Sequence, residues 1–123
     1  MIYTIIVDGR SYDLPKKTLE VMAAIEAVIK VDENPNIPIR EKYKRLHDFI
    51  IHIVGEEAAR QILDSDELSE IDLSDMTITF QKIVAAYNKP VEDYKNSQGL
   101  DALNQIPIEK LIALGKVADK MQK

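Results

Sequence analysis

Several residue types that carry chemistry are absent from this sequence or scarce in it. It contains no cysteine and no tryptophan, and aromatic residues make up only 6% of its 123 positions. Without cysteine there is no disulfide, no thiolate metal site and no thiol nucleophile. Because aromatic rings are so few, a hydrophobic core has to be built mainly from isoleucine, leucine, valine and alanine.

Long apolar runs and an excess of positive charge are also missing. No stretch approaches the roughly 18 apolar residues that span a membrane, and the first ten residues lack the basic start of a signal peptide. The net charge of −5 disfavours a non-specific nucleic-acid binder, which needs a basic face to neutralise phosphates. These absences predict a soluble intracellular protein that binds neither nucleic acid nor membrane.

The N-terminal residues predict a β-hairpin. Residues 2–7 are β-branched or aromatic, Asp8 and Gly9 are a turn signal, and a second short run follows. A lone hairpin is marginal in water, so we expect it to pack on a helix or to pair with a strand of another copy. The residues expected to carry such self-association are Ile2, Tyr3, Ile5 and Tyr12.

The remainder of the chain predicts helices over residues 16–30, 39–54 and 56–63, followed by a long helix over residues 73–94. In the long helix, large apolar residues recur at spacings of three and four and form one stripe. These residues are Leu73, Met76, Phe80, Ile83, Val84, Tyr87, Val91 and Tyr94. We expect the other helices to pack on this stripe, and we expect Pro90 to kink or break the helix. The predicted fold is therefore mainly α, a helical domain with a short N-terminal β-hairpin.

A change of composition near residue 96 predicts two parts of the chain. Residues 1–96 are expected to form the hairpin and helical core, and residues 97–123 a linker and a C-terminal amphipathic helix, with the linker signal in residues 96–99. The final helix either binds a partner as an arm or docks on its own core. The residues expected to contact a partner are Leu111, Ile112, Leu114, Val117 and Met121.

Candidate catalytic and metal-binding residues do not form a functional pattern. His47 and His52 are five positions apart, whereas two metal ligands on one helix face are three or four apart. The acidic residues 64–75 lack the pattern of a calcium loop, because Leu68 and Ser69 occupy positions that need an oxygen ligand and a glycine. We interpret this run as a solvated face or a patch for a basic partner. The sequence thus predicts no catalytic residues, cofactor or metal, and a protein that is not an enzyme.

Three segments, in their order and spacing, resemble the tail assembly chaperones of long-tailed bacteriophages that infect Gram-positive bacteria. They cover most of residues 1–96 and read DGRSYDLPKKTLE, EKYKRLHDFIIHIVGEEAARQIL and LSEIDLSDMTITFQKIVAAYNKPVEDY. The resemblance extends little beyond Gly99.

The resemblance implies a binding function during virion morphogenesis. Such chaperones coat and solubilise the long, hydrophobic, helical tape measure protein until tail tube subunits replace them, and they self-associate into rings or open spirals. They act in the cytoplasm of the host bacterium and are absent from the mature virion. An alternative that needs no resemblance is a small intracellular regulatory or adaptor domain that binds one protein partner.

Overall fold

The structure, a computed structural model, describes the backbone of residues 1–104 and the side chains of residues 1–97. It is mainly helical and begins with an antiparallel β-hairpin, which confirms the predicted fold class. The elements in chain order are β1 (Tyr3–Val7), β2 (Arg10–Leu14), α1 (Leu19–Glu33), α2 (Ile39–Val54), α3 (Glu56–Leu63), a short 3-10 helix (Leu68–Glu70) and α4 (Leu73–Asn104). The chain divides into two units, Met1–Asn88 and Lys89–Lys123.

The hairpin closes through a two-residue turn at Asp8 and Gly9. Both residues have positive φ, 51° and 79°, as a turn of type I′ requires. The turn pairs Val7 with Arg10 and sets the register that places Tyr3 opposite Leu14. Because side chains alternate along a strand, Tyr3 points into the core whereas its neighbours in sequence are exposed.

Helix α1 begins three residues later than the sequence pattern predicts. The predicted start was Lys16, but the first helical residue is Leu19 and Thr18 is the N-cap. The Thr18 hydroxyl oxygen accepts a hydrogen bond from the backbone N–H of Val21 at 3.2 Å, which satisfies one of the free donors of the first turn. This local bond outweighs the helix propensity of Lys16 and Lys17.

Helices α2 and α3 have the bounds that the sequence predicts, and Gly55 separates them. Gly55 has φ 92° and ψ 159°, a backbone conformation that is open essentially to glycine alone. Its N–H still donates to the Ile51 carbonyl at 2.8 Å, so the turn satisfies the backbone while the chain changes direction. Glu56 and Glu57 then lie in the first turn of α3, where carboxylates interact favourably with the helix dipole.

Helix α4 corrects two predictions, because it continues past Pro90 and through residues 96–99 to Asn104. Proline removes one backbone donor, and the hydrogen bonds of the adjacent residues still hold the helix together on both sides. Once a helix exists, adding polar residues costs little compared with nucleating a new one. The predicted break at Pro90 and the predicted linker were therefore both wrong.

The core of the unit Met1–Asn88 is organised around the predicted stripe of α4. Met76, Ile83 and Tyr87 from α4 and Ile50 from α2 have no exposed surface. The ring of Tyr87 lies 4.9 Å from the ring of Tyr3, centroid to centroid, and so joins α4 to the hairpin. Other members of the stripe lie outside the core: Leu73, Val91 and Tyr94 are 41%, 38% and 63% exposed.

Candidate three-helix groove

One turn from each of three helices lines a groove in the unit Met1–Asn88, which we call the three-helix groove. Its volume is about 230 Å³. The lining residues are Val28, Ile29 and Asp32 from α1, Lys42, Tyr43 and Leu46 from α2, and Thr77, Phe80 and Gln81 from α4. Within each helix these residues are spaced by one, three or four positions, so each set occupies one side of its helix.

The floor of the groove is apolar and held by the core below it. Leu46 is buried at its base, and Phe80 meets Phe49 of the core edge to face, with centroids 5.5 Å apart and an interplanar angle of 72°. Such aromatic pairs are geometrically specific, so the Phe80 ring is fixed in place. Val28 and Tyr43 pack against the same core from the side walls.

Polar groups at the rim are mostly engaged within the chain. The Lys42 ammonium group donates to the backbone carbonyl of Asp32 at 2.7 Å, near the C-terminal end of α1, where cations are favourable. The Thr77 hydroxyl donates to the Leu73 carbonyl at 3.1 Å. The carboxylate of Asp32 is the exception, because it has no hydrogen-bond or ion-pair partner among the side chains of residues 1–97.

The surface of α4 next to the groove carries little charge. Between positions 73 and 88 the only charged residues are Asp75 and Lys82, although 30% of the whole chain is charged. Lys82 is directed to the hairpin, where its ammonium group donates to the Ile6 carbonyl at 2.8 Å. The exposed positions that remain are uncharged and include Ile78, which is 48% exposed. The groove therefore opens beside a surface that water solvates poorly.

A second, polar pocket of about 260 Å³ lies between α2, α3 and the loop after α3. His47 lines it and is buried, whereas His52 is exposed. Glu56 and Asp66 also line this pocket with Arg60, and the guanidinium group of Arg60 pairs with Glu57. No group of three side chains in the described part of the chain is arranged to hold a metal ion.

The acidic residues 64–75 lie at the surface with all six carboxylates exposed. Asp64 ends α3 in the left-handed conformation. Asp72 precedes α4, and its carboxylate accepts hydrogen bonds from the backbone N–H groups of Ser74 and Asp75 at 2.8 and 3.4 Å. Of the two capping residues that the sequence allows, Ser74 and Asp72, the structure uses Asp72.

The four hairpin residues predicted to mediate self-association do not share one surface. Tyr3 and Ile5 are buried in the core of their own chain, Tyr12 is half-buried, and Ile2 is 85% exposed. The sequence reasoning missed Ile6, which is 62% exposed. The strict alternation of Ile2, Thr4 and Ile6 is the signal that separates the outer face of the hairpin from its inner face.

The residues predicted to contact a partner, Leu111, Ile112, Leu114, Val117 and Met121, lie outside the described residues. The three-helix groove was also missed by sequence reasoning, since its walls come from segments up to about 50 positions apart in the chain.

The fold and the groove define a small helical domain with a candidate protein-binding surface. A scan of protein-family models, a search of curated proteins and a search of solved structures each find no match to this chain. Among the described helices, none has the length and apolar character needed to cross a bilayer.

Proposed function

We propose that this protein is a tail assembly chaperone of a long-tailed bacteriophage, which binds and solubilises the tape measure protein during tail morphogenesis. Two arguments support the proposal. The first is the ordered resemblance of three segments within residues 1–96. The second, which carries the structural side, is an apolar groove beside an uncharged face of α4 on an otherwise highly charged chain.

The groove is suited to one turn of an amphipathic helix. Apolar side chains of a partner helix recur every three or four residues, and the floor built on Leu46 and Phe80 offers them an apolar surface. Burying such side chains stabilises a contact by about 25 cal/mol per Å² of apolar area. One small groove gives a weak contact, which suits a chaperone that later has to be displaced by tube subunits.

Many weak contacts along one long partner produce a stable coat, because linked binding events raise the effective concentration of each site. The proposal therefore includes self-association of the chaperone into a ring or an open spiral on the tape measure protein. It acts in the cytoplasm of the host bacterium and leaves the particle before the virion matures.

The decisive experiment is co-expression of the chain with a tape measure fragment that is insoluble by itself. Size-exclusion chromatography with light scattering then measures the mass of any soluble complex. We expect a soluble complex that contains several copies of the chain. A strict monomer that leaves the fragment insoluble would overturn the proposal and favour the adaptor domain, which binds a single partner stoichiometrically.

A pair of variants on one helix tests the role of the groove. Ile29→Glu places a charge in the groove wall, where Ile29 is 38% exposed, whereas Leu19→Glu places the same charge at the start of α1, where Leu19 is 86% exposed. We expect Ile29→Glu to lower the amount of soluble fragment severalfold and Leu19→Glu to leave it unchanged. Circular dichroism of both variants establishes that each is folded. Equal effects of the two substitutions would exclude the groove as the binding site.

A further inference from the structure

We propose that the three-helix groove of one copy binds the C-terminal segment (residues 107–121) of a second copy. The inference concerns how copies join to one another, and it rests on the proposed function only in taking self-association as its purpose. It uses two features that are otherwise unexplained, namely an apolar groove and an amphipathic stretch of sequence at the end of the same chain.

The sequence of the C-terminal segment has the spacing that a helical groove recognises. Its apolar residues lie three or four positions apart, which places them along one side of any helical turn. They are Ile108, Leu111, Ile112, Leu114, Val117, Ala118 and Met121. Leu111 and Leu114 illustrate the match in kind, since leucine side chains fit a floor made of Leu46 and Phe80.

Charge favours the same pairing. Residues 105–123 contain four lysines and two acidic residues, whereas residues 1–104 contain 12 basic and 19 acidic residues. The end of the chain is therefore basic and the rest strongly acidic, so two copies attract each other when the end of one meets the body of the other. At the groove itself, the unpaired carboxylate of Asp32 offers a partner to a lysine of the segment such as Lys110.

A contact of this kind repeats. The groove and the segment are different surfaces, so the contact is heterologous, and each copy that donates its segment keeps its own groove free for the next copy. Such head-to-tail contacts close into a ring or continue as an open spiral. A partner helix that enters the groove competes with the segment, which would couple assembly of the chaperone to its load.

The absence of cysteine allows a direct test in the full-length chain. Gln81→Cys places one thiol at the groove, because Gln81 is exposed and lines it, and Leu114→Cys places one in the segment. The two single variants, carrying tags of different size, are mixed in equal amounts under oxidised and reduced glutathione. We expect a disulfide-linked heterodimer at roughly ten times the yield of a control mixture in which Ser11→Cys, on the exposed outer face of the hairpin, replaces the groove variant.

Two further arms keep the test sharp. Adding Ile112→Asp to the Leu114→Cys variant puts a charge into the apolar side of the segment, and we expect it to reduce the heterodimer to the control level. The double variant Gln81→Cys/Leu114→Cys, at high dilution, reports whether the segment reaches the groove of its own chain. Equal yields with the groove and control variants, or a disulfide formed only within one chain, would overturn the proposal. A chain that solubilises the tape measure fragment without this heterodimer would still support the chaperone function.

Discussion

The hydroxyl group of Tyr87 donates a hydrogen bond to the backbone carbonyl of Pro15 at 2.8 Å, across 72 positions of sequence. The connection is reciprocal, because the ammonium group of Lys17 donates to the backbone carbonyl of Tyr87 at 3.1 Å. Together with the ring contact between Tyr87 and Tyr3, these bonds attach the hairpin and the segment that leaves it to α4. The groove walls contributed by α1 and α4 depend on this attachment.

We expect Tyr87→Phe to lower the free energy of unfolding by about 1 kcal/mol, because it removes a single hydrogen bond and leaves the ring in place. Urea denaturation followed by circular dichroism measures the change. Tyr94→Phe is the matched control, since Tyr94 is 63% exposed, and we expect a change within about 0.5 kcal/mol. Equal effects of the two substitutions would show that the hydroxyl of Tyr87 contributes nothing.

Alkaline pH should weaken the fold through the same side chain. Burial, and to a lesser extent the neighbouring Tyr3, raises the pKa of Tyr87 from 10.0 to about 12. Because the folded state holds this proton more tightly than the unfolded state, the stabilisation is present below pH 10 and is lost between pH 10 and about 12. Measured over this range, the stability of the wild type should fall more steeply than that of Tyr87→Phe. Parallel curves would exclude Tyr87 as the source.

Two positions on one turn of α4 test its orientation. Met76 has no exposed surface and Ile78 is 48% exposed. We expect Met76→Ala to cost about 2–5 kcal/mol through lost burial and a residual cavity, and Ile78→Ala to cost less than about 1 kcal/mol. Thermal and urea unfolding of the two variants give the comparison. A larger loss for Ile78→Ala would mean that α4 is rotated relative to the core.

Gly55 is required by its backbone conformation and not by lack of space. No atom lies within 4 Å of the position that a Cβ atom would occupy, yet φ is 92°. We therefore expect Gly55→Ala to lower the free energy of unfolding by about 1–3 kcal/mol. Ser69→Ala, at an exposed loop position, is the control and should change stability by less than about 0.5 kcal/mol. A neutral Gly55→Ala would place this turn in a conformation open to other residues.

The cap of α1 can be tested with a conservative pair. Thr18→Ala removes the hydroxyl oxygen that accepts from the Val21 N–H, and we expect a loss of about 1 kcal/mol in the free energy of unfolding. Thr18→Ser retains that oxygen and should restore nearly all of the stability. If both substitutions are equally destabilising, the methyl group of Thr18 matters and the cap does not.

Elements governed by near neighbours in the chain were predictable from sequence. Asp8 and Gly9 predict the hairpin turn because few residues tolerate positive φ, and Gly55 predicts the boundary between α2 and α3 for the same reason. The stripe of α4 predicts which of its residues enter the core, with Met76, Ile83 and Tyr87 all fully buried. Each of these features depends on bonds or periodicities that span fewer than about 20 residues.

Other features depend on contacts that the local sequence does not contain. Pro90 is a strong helix breaker by composition, yet α4 continues through it, because the turns on either side retain their own hydrogen bonds. Ile2 and Tyr3 are equally apolar in the sequence, and only the packing of Tyr3 on Tyr87 makes one exposed and the other buried. The three-helix groove is the largest such case. Its walls meet because the core draws α1, α2 and α4 together, so its position follows from packing across the whole unit Met1–Asn88 and from no single segment of it.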